Sequence, residues 1–185
     1  MKRTRNPEEK RQKILEATHK ILREGGYFTN FSLDNVAKTA EISKGGRIHH
    51  FPSKVALVKA AAQEASERFE QRFAENLAAD GGGENGRLTR TYIHTGFDSI
   101  AAGGEMSPLL LAYLHDAAEP QTRFEAWQQQ LANDGIDPVM AAIIRLAVDG
   151  LIYTELIDYV SIEGDLRHQI LSQLLELARE ADQQK

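Results

Sequence analysis

The chain has 185 residues, of which 42% are apolar and 26% charged, and it has no cysteine. This composition fits a soluble globular protein of one large domain or two small ones, and it excludes disulfides, thiolate zinc sites and a cysteine nucleophile. The longest apolar runs, such as 108–114, fall far short of the roughly 20 residues that cross a membrane, and a polar run follows the basic N-terminus where a leader would place its apolar core; the expected location is the cytoplasm.

The net charge of −5 hides an asymmetry. Residues 1–60 hold 13 Lys or Arg against 6 Asp or Glu, which is +7, whereas residues 61–185 hold 9 against 21, which is −12. A basic head on an acidic body suggests that an anionic polymer docks at one end only.

In chain order, Lys2, Arg3 and Arg5 form a basic arm, either a nonspecific or minor-groove DNA contact or a solvated tail. Asn6-Pro7 reads as an N-cap followed by proline in the first turn, with Glu8 and Glu9 near the positive end of the helix dipole. Ile14, Leu15, Thr18, Ile21 and Leu22 keep helical spacing until Gly25-Gly26 ends the helix. Tyr27, Phe28 and Phe31 are apolar loop residues that would plug a small core. Leu33, Val36, Ala37 and Ala40 share one face of a short second helix, with Ile42 in the turn after it. Ser43 can cap a third helix carrying Lys44, Arg47, His49 and His50, which stops before Pro52. A short basic helix with a glycine-rich start, braced by another short helix, is the layout of a helix-turn-helix DNA reader.

From Ser53 a long helix carries Leu57, Val58, Ala61, Ala65, Phe69, Phe73 and Leu77 as a sustained stripe, long enough to act as a strut from head to body. The Gly81–Gly86 run breaks it. The body continues with a stripe of Leu88, Tyr92, Ile93, Phe97 and Ile100, and a short apolar helix opened by Ser107-Pro108. A helix from Pro120 follows with Phe124, Trp127 and Leu131, then a long one capped by Asp137-Pro138 and running to about Val160, and a last one from about Glu163 to Asp182. No alternating pattern suggests a strand, so the expected fold is all-α with about nine helices, divided as a helix-turn-helix unit over 1–52 and a helical body over 53–185.

The penultimate helix is apolar over more than half its circumference, from Met140 and Ile143 through Ala147 and Leu151 to Ile157, whereas a surface helix needs a stripe of only about 100°. The surplus face requires a partner, either within its own domain or in a second copy across a two-fold axis. Ala147 and Gly150 would permit close helix approach. The expected dimer contacts are Ile143, Ala147, Gly150 and Leu151, with Leu174 on the last helix.

Residues 10–60 resemble the DNA-binding head of the tetracycline-repressor (TetR) family of bacterial transcription regulators. The resemblance rests on Ser32-Leu-Asp-Asn-Val-Ala-Lys38 and on Lys44-Gly-Gly-Arg-Ile-His-His-Phe-Pro-Ser-Lys54 followed by Val55-Ala-Leu57; Asp149-Gly150-Leu151 is similar to a recurrent feature of the family's body. The resemblance implies an all-helical homodimer, one head per major groove of a palindromic operator. It also implies a small-molecule pocket in the body that controls head separation, and a four-helix dimer interface from the last two helices of each subunit. Two positions depart from the family pattern. Glu41 stands where the turn usually has glycine, and Arg47-Ile48 stands where a bulky apolar residue and a tyrosine are usual.

On this reading Lys44 and Arg47 are base readers, because long cationic donors match the O6 and N7 acceptors of guanine. His50 and Lys54, with Ser32 and Asn35, touch phosphate and fix register. Gly45 and Gly46 allow the backbone close to DNA or else mark a loose helix start. His49 is either a DNA contact or a residue turned inward. Phe69, Phe73, Tyr92, Phe97, Met106, Tyr113, Trp127 and Tyr153 are candidates for the pocket wall or for plain core. No metal-ligand spacing, nucleophile elbow or phosphate loop appears, so neither catalysis nor a cofactor is expected. The expected function is a DNA-binding regulator, in the form of a repressor released from its operator by a small molecule. The alternative is a helical dimeric scaffold or ligand sensor that has lost specific DNA binding.

Overall fold

The computed structural model describes residues 7–24, 31–43, 45–46, 50–103, 118–156 and 161–183. Among them are seven helices and no strand: α1 (Pro7–Glu24), α2 (Leu33–Thr39), α3 (Lys54–Ala79), α4 (Arg87–Ala101), α5 (Ala118–Ala132), α6 (Pro138–Leu156) and α7 (Gly164–Gln183). The N-terminal arm, Tyr27, Phe28, Lys44, Arg47, Ile48, His49 and the apolar helix expected after Ser107 lie outside the described residues. Gly45, Gly46 and His50 are helical, in the expected third helix.

Two apolar clusters organise the chain, and α3 joins them. In the first, Ile14, Leu15 and Leu22 of α1 pack with Phe31, Val36 of α2, Phe51, and Leu57, Val58, Ala61, Ala62 and Ala65 of α3. Phe31 does plug this core, at 7% exposure. The head therefore borrows the first three turns of α3, which fits the marginal core of so short a segment. One turn further along, Phe69 and Phe73 pack on the second cluster, built from Tyr92, Ile93, Phe97, Leu131, Ile144, Val148, Leu151, Leu174 and Ala178. With 26 residues, α3 spans roughly 39 Å at 1.5 Å per residue, so one rigid element is shared by both cores.

Local chemistry sets the helix starts. Ser32 caps α2 by accepting from the Asn35 N–H (3.2 Å), Ser43 accepts from the Gly46 N–H (3.2 Å), and Ser53 caps α3 by accepting from the Ala56 N–H (3.1 Å). Asp137 accepts from the Met140 N–H (2.8 Å) at the start of α6. For α4 the cap comes from a distant residue. Gly86 precedes the helix with φ +71, and Asp134 accepts from the Leu88 N–H (3.0 Å) and the Thr89 N–H (2.7 Å).

The central helix of the body is α4, which packs against α3, α5, α6 and α7. It is buried almost all round, including Thr89, Arg90, Thr91, Thr95 and Ser99. These polar groups stay inside because most have partners. The Thr91 and Thr95 hydroxyls donate to the Arg87 and Thr91 carbonyls four residues back (both 2.8 Å). Ser99 accepts from Arg72 (2.9 Å). Arg90 donates to Asp80 (2.8 and 3.0 Å) and to the carbonyls of Gly83 and Asn85. Gly96 lets α6 close in, since a Cβ there would stand 2.5 Å from a Val148 methyl.

Candidate DNA interface and effector site

The turn after α2 leads into the third helix, of which Gly45, Gly46 and His50 are described. The Glu41 N–H donates to the Lys38 carbonyl (3.1 Å) and the Ile42 N–H to the Ala37 carbonyl (2.9 Å). This is the paired hydrogen-bond pattern of a Schellman motif, in which the residue after the C-cap takes a left-handed conformation. That residue is Glu41, with φ +54. The glutamate thus takes a left-handed backbone shape that glycine would adopt at no steric cost, and carries the strain. Ile42 then folds back onto the head core.

The two glycines of the third helix differ in their surroundings. A Cβ on Gly46 would meet Ile42 Cγ2 at 3.0 Å and Ser43 Oγ at 3.2 Å, so packing of the turn is one reason for this glycine. A Cβ on the exposed Gly45 would meet nothing within 4 Å. Ser32 and Asn35 are exposed at the start of α2, and His50 is half-buried. Lys54, at the start of α3, donates to the Phe31 carbonyl (3.0 Å) and stands 4.8 Å from the Phe31 ring centroid. The starts of α2 and α3 therefore meet at Phe31, and this brings Ser32 and Lys54 to one edge of the head.

Behind this surface, Glu64 of α3 ties α1 to the strut. It accepts from Gln12 (2.9 Å) and Arg68 (2.8 Å) and lies 3.0 Å from His19 Nε2. Burial opposes ionisation of Glu64, but the hydrogen bonds of His19 and Gln12 and the charge of Arg68 outweigh it and bring the carboxyl from 4.5 down to about 2. A cleft of about 500 Å³ opens between α1 and the α2 turn, lined among others by Lys10, Lys13, Lys20, Glu9, Glu16 and Glu41. Its cations and carboxylates balance, and it lies on the head, so it is not assigned to the effector.

In the body, Phe69, Phe73, Tyr92 and Trp127 form one aromatic group drawn from α3, α4 and α5. The rings meet edge to face, with centroids 6.3 Å apart for Phe69–Tyr92, 6.0 Å for Phe69–Trp127, 5.6 Å for Phe73–Trp127 and 4.8 Å for Tyr92–Trp127. The Tyr92 hydroxyl donates to Asp149 of α6, whose other oxygen lies 3.6 Å from Arg145. Burial pushes the Asp149 carboxyl above the ordinary aspartate range, against the opposing pull of the Tyr92 hydrogen bond and the Arg145 charge. Burial, and then the Asp149 charge, also push the Tyr92 phenol upward. Phe97 is buried in the same core. Met106 and Tyr113 lie outside the described residues. Tyr153 is elsewhere, 52% exposed on the outer side of α6.

That outer side is a stripe. Val139, Ile143, Leu146 and Tyr153 are 51–65% exposed and recur every three to seven residues, with Ala147 and Gly150 also open. The opposite side, Ala141, Ile144, Val148 and Leu151, is buried. Leu151 and Leu174 are thus held in the subunit's own core, while Ile143, Ala147 and Gly150 face outward. The sequence marked Asp149 only through the Asp149-Gly150-Leu151 resemblance, and did not mark Glu64. The available signals were the Arg145–Asp149 spacing of four, and Glu64–Arg68 at the same spacing.

Among the described residues, no helix is long and apolar enough to cross a membrane. No curated protein matches the chain. Several solved structures share its fold. A TetR-family member from Streptomyces coelicolor A3 is 20% identical, with 91% of this chain and 98% of that one covered and a TM-score of 0.60. A TetR-family transcriptional regulator from Agrobacterium tumefaciens is 19% identical, with 92% and 98% covered and a TM-score of 0.64. The multidrug binding protein EbrR, solved with imidazole, is 21% identical, with 91% and 94% covered and a TM-score of 0.55. Two family models match the chain itself: bacterial regulatory proteins of the tetR family over residues 14–61, and the tetracyclin repressor-like C-terminal domain over residues 86–179, which alone is more than half of the chain. The chain belongs to the TetR family of DNA-binding transcriptional regulators, a non-enzymatic class with a ligand-binding C-terminal domain.

Proposed function

We propose that the protein is a cytoplasmic repressor that sits as a homodimer on a palindromic duplex and leaves it when a small molecule enters the body. The observation that carries this reading is the two-sided α6. Its inner side is used within the subunit, and its outer side is a row of exposed apolar residues that a second copy would cover. Two copies present two basic heads, and two-fold symmetry in the protein calls for two-fold symmetry in the site. Ile143, Ala147 and Gly150 would form the contact.

The DNA-binding unit is assigned to residues 1–52, leaning on the first turns of α3, and the ligand and dimer unit to 53–185. Lys44 and Arg47 read bases, while Ser32, Asn35, His49, His50 and Lys54 position the backbone. Gly45 gives the closest approach, a role supported by its exposure and by the open space around it. The ring group of Phe69, Phe73, Tyr92 and Trp127 forms the effector wall. In support of coupling, α3 belongs to both cores, so a shift of Phe69 or Phe73 reaches Leu57 through a single helix.

Fluorescence anisotropy on duplexes from the gene's own upstream region tests this reading. Specific binding is expected, with an affinity that falls steeply with salt, the slope being about −0.9 for each phosphate neutralised. Binding that is absent, or insensitive to salt, would leave the repressor reading without support.

A further inference from the structure

We infer that the effector is an organic cation, held by Asp149 against the ring group of Phe69, Phe73, Tyr92 and Trp127. The inference rests on the reading of that ring group as the effector wall, and goes beyond it by assigning the charge of the ligand and the residue that reads it.

The first ground is the position of the carboxylate. Asp149 is connected to the rings through Tyr92, whose ring lies 4.8 Å from that of Trp127 while its hydroxyl donates to Asp149. Phe69, Phe73, Trp127 and Asp149 are only half-buried, so the rings and the charge each keep some exposed surface. A carboxylate one hydrogen bond away from an aromatic group supplies both elements that attract an alkylated ammonium group, the charge and the ring faces, and neither demands a fixed geometry.

The second ground is the looseness of the resident counter-charge. Elsewhere the body pairs charges closely: Arg90 meets Asp80 at 2.8 Å with added carbonyl contacts, and Arg167 meets Glu155 at 2.5 Å. Arg145 stands 3.6 Å from the second oxygen of Asp149, beyond good hydrogen-bond length. Among the described residues, that oxygen has no closer donor. A partly buried carboxylate with one tight donor and one distant cation is under-neutralised, and burial already holds this acid above its ordinary range. An arriving ammonium would complete the neutralisation, and Arg145 would swing aside. The −12 charge of residues 61–185 adds a field that draws cations towards the body.

The chain has one tryptophan, Trp127, so its intrinsic fluorescence reports on this site. Three probes of similar size separate charge from shape: benzyltrimethylammonium, benzyl alcohol and benzenesulfonate. A saturable change is expected with the ammonium, weakened about tenfold or more by Asp149→Asn and strengthened by Arg145→Gln, which removes the competing cation. If the alcohol binds as tightly as the ammonium, the ring site stands and the cation assignment falls. Binding of the sulfonate that Arg145→Gln abolishes would reassign the site to anions. If none of the probes moves Trp127, both the cation assignment and the placement of the effector at these rings are overturned. Should Asp149→Asn fail to fold, Arg145→Gln decides alone, because weaker ammonium binding in that variant contradicts the proposal.

Discussion

Replacing Glu41 with glycine isolates the strain in the helix-turn-helix. The φ of +54 at Glu41 is forced from both sides, by the Glu41 N–H on the Lys38 carbonyl and the Ile42 N–H on the Ala37 carbonyl. An L-residue in that conformation costs roughly 1–2 kcal/mol through its Cβ. Glycine removes that cost but loses about 0.5–1 kcal/mol more chain entropy on folding. The balance favours Glu41→Gly by roughly 0.5–1 kcal/mol, which in a chain of this size raises Tm by about 1–4 °C. Glu41→Ala is the control, because it removes the carboxylate and keeps the Cβ. Thermal unfolding followed by circular dichroism at fixed protein concentration measures both variants, and the gain should appear in the glycine variant alone. If alanine stabilises as much as glycine, the effect comes from removing charge and the strain argument is wrong.

Three further outcomes follow from the packing. Glu64→Gln should lower stability at neutral pH by about 1.5–3 kcal/mol, the usual range for hydrogen bonds to a charged group. The Glu64 carboxyl is depressed from 4.5 to about 2, so its contribution is complete above about pH 4.5 and is lost as pH falls towards 2. Urea unfolding at pH 7 and pH 3 should show the gap between variant and parent narrowing; an equal gap at both would remove the ionic account. Gly96→Ala places a methyl 2.5 Å from Val148 and should cost about 1–3 kcal/mol by overpacking, against a gain of about 1 kcal/mol in helix propensity. Adding Val148→Ala should recover part of the net loss, and a raised Tm in the single variant would contradict the close approach of α4 and α6. Ile143→Glu should yield a monomer of unchanged helix content by light scattering and circular dichroism, since Ile143 is 51% exposed in the single subunit; a persistent dimer would move the interface off this stripe.

Much of the head was legible because its signals are local. The serine caps act within one turn, and the apolar spacing of Leu33, Val36, Ala37 and Ala40 identifies one face of a seven-residue helix whatever lies around it. In the body, spacing alone pointed to the penultimate helix as the one with apolar surface to spare, and its outer stripe is open. Spacing did not tell which of its leucines face inward, and Leu151 and Leu174 turned out to be core. Nor did it separate Tyr153 from the aromatic group that includes Tyr92, because an aromatic residue looks the same in a pocket wall and on an open face.

Sequence by itself determined the run of helices, the serine and aspartate caps that open α2, α3 and α6, the turn after α2 and the split of charge between head and body. Each of these depends on residues within a turn or two of one another, or on simple totals. Tertiary structure decided which helix is central, why its threonines and arginine can be buried, and where the body keeps a half-buried carboxylate. Those outcomes depend on partners far away in the chain. Arg90 is buried because Asp80 and the loop carbonyls receive it, α4 begins where it does because Asp134 caps it across 46 residues, and Asp149 is joined to the aromatic group only because the fold brings Tyr92 against it across 57 residues.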